Sequence, residues 1–314
     1  MAQSAFMLPR DAKSEEINME NKQKSVMLRG MTRDGSARVL VLNSRDMVNE
    51  MIKTHHTAPT ATAALGRLVT AASMIGSMLP EAGDTVTVGF KGDGPLGQIL
   101  AVADYYGTVK AYVQNPETDL ERKKNGAPDV GSAIGYGTLF MVRDLANGEP
   151  QTGTVEIVSG EIAEDIATYF AKSEQVPTLL SLGVSLDKDG TCLAAGGVLI
   201  QLLPFPEEET VTLLERNAEN LSHVSSLFEK GLSNEEIAAL ALKDIPFDPF
   251  DTLEVVYRCD CSSERMLKKI RSLAKSEIVR MLDEQEAEGK SRELTAVCRF
   301  CGSEYTFNEK VLLK

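Results

Sequence analysis

Cys259-Asp260-Cys261 and Cys298-Arg299-Phe300-Cys301 set four thiols in two close pairs near the end of a 314-residue chain. Zinc favours soft donors in a tetrahedron, and two such pairs brought together by a fold supply that arrangement. With no histidine nearby the site is closed and all-thiolate, so it leaves no coordination position for a substrate and argues against hydrolytic zinc catalysis. The expected ligands of a Zn(2+) ion are therefore Cys259, Cys261, Cys298 and Cys301. A purely structural zinc ribbon is the plain alternative. Cys-x-Cys is less usual in ribbons, however, and here it opens a helix that begins Ser262-Ser263-Glu264-Arg265, with Lys268, Lys269 and Arg271 close behind. A helix N-terminus and nearby cations favour thiolate over thiol, the condition for fast attack on an oxidant. Zinc contributes about 10–16 kcal/mol to small four-cysteine modules, so a module that loses its metal should unfold.

The elements that must position these pairs follow from hydrophobic patterning. Residues 1–26 are polar and unpatterned, a flexible tail. Arg38-Val39-Leu40-Val41-Leu42 reads as a strand, and Ser44 then caps a short helix carrying Met47, Val48 and Met51. Residues 59–79 are apolar around most of a helix, which makes it central and buried. Period-two alternation through residues 85–115, broken at Gly92-Asp93-Gly94-Pro95-Leu96-Gly97 and at Gly107, is an antiparallel meander. Strands are expected at 138–142, 153–158, 184–186 and 194–203, with a helix at 160–172. These make an α+β core domain over residues 27–204, a twisted, mainly antiparallel sheet with packed helices.

Residues 205–257 differ: Pro204 and Pro206 open the segment and Glu207-Glu208-Glu209 follows. Leu214, Ala218, Leu221, Val224 and Phe228 recur at helical spacing, Gly231 gives a stop, and Ser233 with Glu236 has capping-box spacing for a second helix through Ile237, Leu240 and Ala241. This reads as an amphipathic helical linker whose apolar stripes need cover, ending in a strand-like run at 253–257. Residues 258–314 then form the zinc-binding domain.

A net charge of -13 argues against a general affinity for nucleic acid or anionic membrane. No apolar run approaches the roughly 20 residues that span a bilayer, and the N-terminus lacks a signal-peptide core, which points to the cytoplasm. In a reducing cytosol, clustered cysteines read as metal or redox sites. The Gly92 to Gly97 loop fits G-x-G-x-x-G, but strand alternation follows it where phosphate binding needs a helix, so it reads as a turn and no nucleotide cofactor is expected. His55 and His56 point about 100° apart on a helix and cannot chelate together, which leaves surface or capping roles. His223 has no ligating partner, and Cys192, alone between strands, reads as a small buried apolar residue. With no credible general base, the chain is not expected to be an enzyme.

Taken in order, Thr62-Ala63-Ala64-Leu65-Gly66-Arg67, Phe90-Lys91-Gly92-Asp93-Gly94-Pro95-Leu96-Gly97, Ser159-Gly160-Glu161-Ile162-Ala163-Glu164-Asp165-Ile166, Ser173-Glu174-Gln175-Val176-Pro177, Ala195-Gly196-Gly197 and the two cysteine motifs form a specific series. On these motifs the chain resembles the bacterial redox-regulated chaperonin of about 33 kilodaltons, the oxidation-activated heat-shock holdase. The resemblance covers nearly all of the chain after the N-terminal tail. It implies an ATP-independent holdase that is inactive when reduced and zinc-bound. Oxidation would pair Cys259 with Cys261 and Cys298 with Cys301, release zinc, unfold the last domain and loosen the linker. Unfolding client proteins are the implied partners, with a homodimer on oxidation and a monomer or weak dimer when reduced. A nucleic-acid-binding zinc ribbon is the competing reading, supported by the basic cluster between Arg265 and Lys275; the acidic chain and the absence of exposed-looking aromatics for base stacking weigh against it.

Overall fold

A computed structural model describes residues 24–314. The part of the expected flexible tail before Lys24 lies outside the described residues, and its last two positions instead begin a strand, β1 (Ser25–Thr32). β1 is an addition to the sequence reading: Ser25-Val26-Met27-Leu28-Arg29-Gly30 has no clean alternation because the strand is covered on both faces. It pairs with β2 (Ala37–Asn43), and α1 (Arg45–His55) and α2 (Pro59–Gly76) follow. The meander is β3 (Thr85–Gly92), β4 (Gln98–Asp104) and β5 (Thr108–Val113), continued after α3 (Val130–Ile134) by β6 (Gly137–Asp144) and β7 (Gln151–Glu156). Then come α4 (Ala163–Tyr169), β8 (Thr178–Leu186) and β9 (Cys192–Leu202). β8 starts before the expected 184, and the helix expected at 160–172 continues beyond Tyr169 as a π-helical turn, Phe170–Glu174, but begins later, at Ala163, because Ser159 and Gly160 form a loop. There the buried Asp165 carboxylate accepts N–H groups from Val158 at 2.7 Å, Ser159 at 3.0 Å and Ile162 at 3.2 Å.

The segment expected as a helical linker is α5 (Glu208–Asn217), a 3-10 turn at Ala218–Leu221, α6 (Val224–Glu229) and α7 (Asn234–Ala241). One continuous stripe from Leu214 to Phe228 is thus broken into pieces. Ser233 and Glu236 make the expected capping box, each side chain accepting the other's backbone N–H, at 3.2 Å and 2.8 Å. The last part of that segment is not helical: Phe247–Tyr257 is β10, a longer strand than the run expected at 253–257.

Among the described residues β10 is an interior strand of a ten-stranded sheet of order β7-β6-β3-β4-β5-β10-β1-β2-β9-β8. The sheet expected to finish at 204 therefore takes an interior strand from beyond the helices. β10 runs antiparallel to β1 along its length, but joins β5 only through the parallel pairs Val256↔Thr108 and Tyr257↔Val109.

Parity along β2 shows how the sheet is covered. Leu40 and Leu42 face the main core with α1 and α2, where Met47, Met51, Leu65, Leu68 and Met74 are buried. Ala37, Val39 and Val41 face the other side, where the linker helices bury Leu214, Val224, Phe228, Ile237 and Ala241 against Leu28, Val198 and Ile200. Glycines let the linker approach closely: Gly183 and Gly196 are partners across β8 and β9, and a Cβ on Gly196 would lie 2.2 Å from the Phe228 ring and 2.5 Å from the Leu42 carbonyl.

After Tyr257 come α8 (Ser263–Arg271), α9 (Lys275–Ala287), β11 (Glu293–Val297), β12 (Glu304–Asn308) and α10 (Glu309–Leu312). Their small core is Ile278, Leu282, Leu294, Phe307 and Leu312. No helix among the described residues is long and apolar enough to cross a membrane.

Candidate metal centre

Two local structures present the cysteines. Cys259 and Cys261 leave the end of β10 just before α8, whose N-cap Ser262 accepts the Arg265 N–H at 3.2 Å, as the helix-opening sequence requires. Cys298 and Cys301 lie in the loop joining β11 to β12. Its ends are tied by Cys298 N–H to the Ser303 carbonyl at 2.9 Å, and Gly302 N–H to the Cys298 carbonyl at 2.8 Å closes the turn at a φ of 72°. The chain reversal there needs the left-handed backbone that glycine adopts without strain.

The four sulfurs lie within 4.8 Å of one another. Between the pairs, Cys261 Sγ lies 3.3 Å from Cys301 Sγ and Cys259 Sγ 3.7 Å from Cys298 Sγ. Such a cluster of soft donors fits a metal ion held by thiolates. Around it, the Tyr305 hydroxyl lies 3.1 Å from Cys261 Sγ and the Ser303 hydroxyl 3.2 Å from Cys301 Sγ. Burial pushes the Cys259 and Cys298 thiols up. Burial acts the same way on Cys301, but hydrogen bonds with the Ser303 side chain and backbone, and with Cys261 and Cys298, bring it down to about 7. Arg265 turns to Asp260, and Arg271 donates to the Val311 carbonyl, which takes two members out of the basic cluster that motivated a nucleic-acid reading.

The centre is attached to the sheet by residues that sequence reasoning missed. Tyr257 stands two positions before Cys259; its hydroxyl lies 2.6 Å from His55 Nε2 and accepts the Ala111 N–H at 3.1 Å. Lys110 of β5 pairs with Asp260 and lies over the Phe300 ring, 5.2 Å from its centroid, and Arg299 lies 6.0 Å from the Tyr112 ring centroid. Burial raises the Asp260 carboxyl, but hydrogen bonds from Lys110 and Arg265 outweigh it and hold the group at about 2. Alternation along β5 marks Lys110 and Tyr112 as facing away from the main core; nothing in the sequence names what they meet.

The other singled-out residues are structural. Gly92 to Gly97 turns β3 into β4, as read, and Cys192 is fully buried, its thiol pushed up to about 12 by that burial. Arg67 reaches Glu161 at 2.7 Å, and Lys123 pairs with the same carboxylate, so two of the sequence motifs meet in one ion cluster. His56 is the left-handed C-cap of α1 at φ 52°, one of the expected roles, and His223 is exposed at the N-cap of α6.

A family model described as "Hsp33 protein" matches residues 25–308. The chain belongs to the Hsp33 family. Relatives named "33 kDa chaperonin" include that of Bacillus velezensis, 42% identical over 287 residues, covering 91% of this chain and 96% of that protein. That of Thermoanaerobacter sp. (strain X514) is 44% identical over 259 residues, covering 82% of this chain and 86% of that protein. The crystal structure of the 33 kDa chaperonin (heat shock protein 33 homolog) from Thermotoga maritima superposes with a TM-score of 0.82 at 33% identity, covering 93% of this chain and 97% of that one. Within this Hsp33 chain the match begins at β1, so residues 1–24 lie outside it.

His55 adds a pH dependence. Burial is the main cause that holds its pKa below the ordinary histidine value, with His56 adding to it. The unfolded chain therefore gains this proton at a higher pH than the folded one. The stability His55 contributes is present above about pH 6.5 and is lost as the pH falls through the folded value. Urea midpoints taken from about pH 7.5 down to about 5.5 should fall more steeply for the native protein than for His55→Gln. Parallel slopes would remove His55 from the account.

Proposed function

We propose that this protein is a redox-regulated, ATP-independent holdase chaperone of the cytoplasm, inactive when reduced and zinc-bound. The observation that carries the reading is that linker and cysteine loops share one side of the sheet. Leu28, Val39, Val41, Val198 and Ile200 are covered there by α5 to α7 and the turns around them, and these helices are followed directly by β10 and Cys259. Freed helices and the strand face beneath them would together offer a contiguous apolar surface, the kind that unfolding clients bind.

Cys259, Cys261, Cys298 and Cys301 would hold Zn(2+), which keeps their sulfurs as thiolates and cross-links the two loops. A thiolate attacks peroxide, the O–O bond breaks, and a sulfenic acid and hydroxide result. A second thiolate displaces hydroxide from that sulfur to form the disulfide, so two electrons pass from the sulfurs to the peroxide, which ends as two waters once two protons are taken up. Disulfides Cys259–Cys261 and Cys298–Cys301 remove the four donors, and a disulfide sulfur is a poor ligand. With its small core no longer cross-linked, the region after Tyr257 unfolds, strain passes into β10, and the linker detaches. Client proteins are held without nucleotide, with dimerisation in the oxidised state and a monomer or weak dimer in the reduced one. Neither nucleic acid nor membrane is a partner.

The test is to treat reduced, zinc-loaded protein with peroxide while following zinc release, free thiols and suppression of aggregation of a heat-denatured client. All three should change together and reverse with dithiothreitol. Zinc that stays bound, or leaves without any gain in holdase activity, would sink the reading. Peptide mapping tests the pairing separately: a Cys261–Cys301 disulfide, between sulfurs 3.3 Å apart, would overturn it.

A further inference from the structure

We propose that Lys110 is the positioning residue that fastens both cysteine-bearing loops to the sheet and thereby sets how readily the centre is oxidised, an inference that rests on the redox-switch reading above. Lys110 lies mid-strand in β5, where Val109, Ala111 and Val113 are buried in the main core and the residues between them face the opposite side. Its ammonium meets Asp260, the residue between Cys259 and Cys261, and sits 5.2 Å from the ring centroid of Phe300, which lies between Cys298 and Cys301. One side chain of the sheet thus touches the interior of both cysteine motifs. The next outward residue of β5, Tyr112, receives Arg299, the other residue between Cys298 and Cys301.

The surroundings make this contact more than a surface ion pair. The Lys110 side chain is only 22% exposed, so its charge is partly desolvated and less screened than that of Arg265, which is 62% exposed and also reaches Asp260. Arg265 belongs to the same C-terminal region as the cysteines and cannot tie it to the sheet. Lys110 can.

A disulfide needs its sulfurs at about 2.05 Å and a restricted geometry about the bond. Sulfurs now spread over as much as 4.8 Å reach that only if the loops move. Contraction of Cys259-Asp260-Cys261 draws Asp260 away from Lys110, and contraction of the second loop draws Phe300 away. The clamp therefore resists the first disulfide in either pair. Once one pair has closed, Lys110 keeps a single partner, and its resistance to the second closure is smaller. The redox chemistry is unchanged: peroxide takes two electrons for each disulfide formed.

The test uses the full-length, reduced, zinc-loaded protein with peroxide as oxidant and a chromophoric chelator to time zinc release. Lys110→Met keeps the aliphatic stem and removes the charge. It should release zinc about five- to tenfold faster than the native protein, the factor expected from losing one ion pair and one cation–π contact. Lys110→Arg should restore the slow rate. Asp260→Asn should speed release, and adding it to Lys110→Met should give less than the product of the single effects. Raising the salt concentration should narrow the gap between native and Lys110→Met, which loss of packing alone would not do. A native release rate for Lys110→Met, or effects that multiply in the double variant, would overturn the proposal. If the native protein itself neither releases zinc nor gains activity on oxidation, the switch reading fails instead.

Discussion

Cys298→Ser is expected to leave the chain beyond Tyr257 without a stable fold even in fully reduced protein. Cys298 is 3% exposed, and the hydrophobic cluster of the region is only Ile278, Leu282, Leu294, Phe307 and Leu312 with partly buried neighbours. A core of that size does not offset the conformational entropy of the helices and hairpin around it. On the zinc reading proposed above, structural zinc would contribute about 10–16 kcal/mol, as in comparable modules, and loss of one of its four thiolates would weaken what holds this region together. The variant should hold less than stoichiometric zinc, lose amide protection over residues 263–314, and suppress client aggregation before any oxidant is added. Native zinc content together with native protection would show that the small core stands without the full ligand set.

A comparably large effect is expected far from any of these cysteines, at Gly196. There is no room for a methyl group between the Leu42 carbonyl and the Phe228 ring. Moving the ring alone leaves the clash with the β2 carbonyl, so β9 must shift against β2 while Phe228, and α6 with it, also gives way. Overpacking of this kind costs about 1–3 kcal/mol. It falls on a short helix held also by Ser185 to Glu229 at 3.0 Å, next to the 3-10 turn whose Leu221 carbonyl accepts the Ser181 hydroxyl at 2.5 Å. Gly196→Ala should therefore detach the linker while all four thiolates stay intact, giving a holdase that is active when reduced and still zinc-loaded. Hydrogen exchange across residues 224–229 checks the detachment, and the aggregation assay checks the activity. Full protection of α6 with silence until oxidation would refute the argument. The two substitutions approach the same active state from opposite ends, one with the metal lost and the other with it retained.

The sequence made the centre readable because ligand chemistry is local: residue type and spacing specify a thiolate site without knowledge of the fold. The same holds for the meander, where alternation is strong, and for the Ser233 capping box. Three things were not legible. β1 and β10 have faces that are both covered or irregularly exposed, and β10 carries Pro249 beside a register shift in its pairing with β1, which hides its period. The break between α5 and α6 follows from the sheet surface the linker must fit. Lys110, Tyr112 and His55 act through partners distant in sequence, which no spacing rule reaches. Tyr257 looked like the end of a strand, and its link to His55 spans 202 positions.

The placement of β10 also constrains the order in which the protein can be made. β1 finds its antiparallel partner more than 200 positions later, as in the Arg29 to Asp251 ion pair with a separation of 222. During synthesis, one side of β1 and the edge of β5 stay open until the strand between them has emerged, after every other strand of that sheet. Pairings of such long range form slowly, and open strand edges attract other chains. For that interval the nascent chaperone resembles its own clients, and it leaves that condition only as the strand leading into Cys259 is completed. A ribosome stalled before residue 247 should therefore carry an aggregation-prone chain, whereas one stalled late enough to free β10 should carry a protease-resistant sheet.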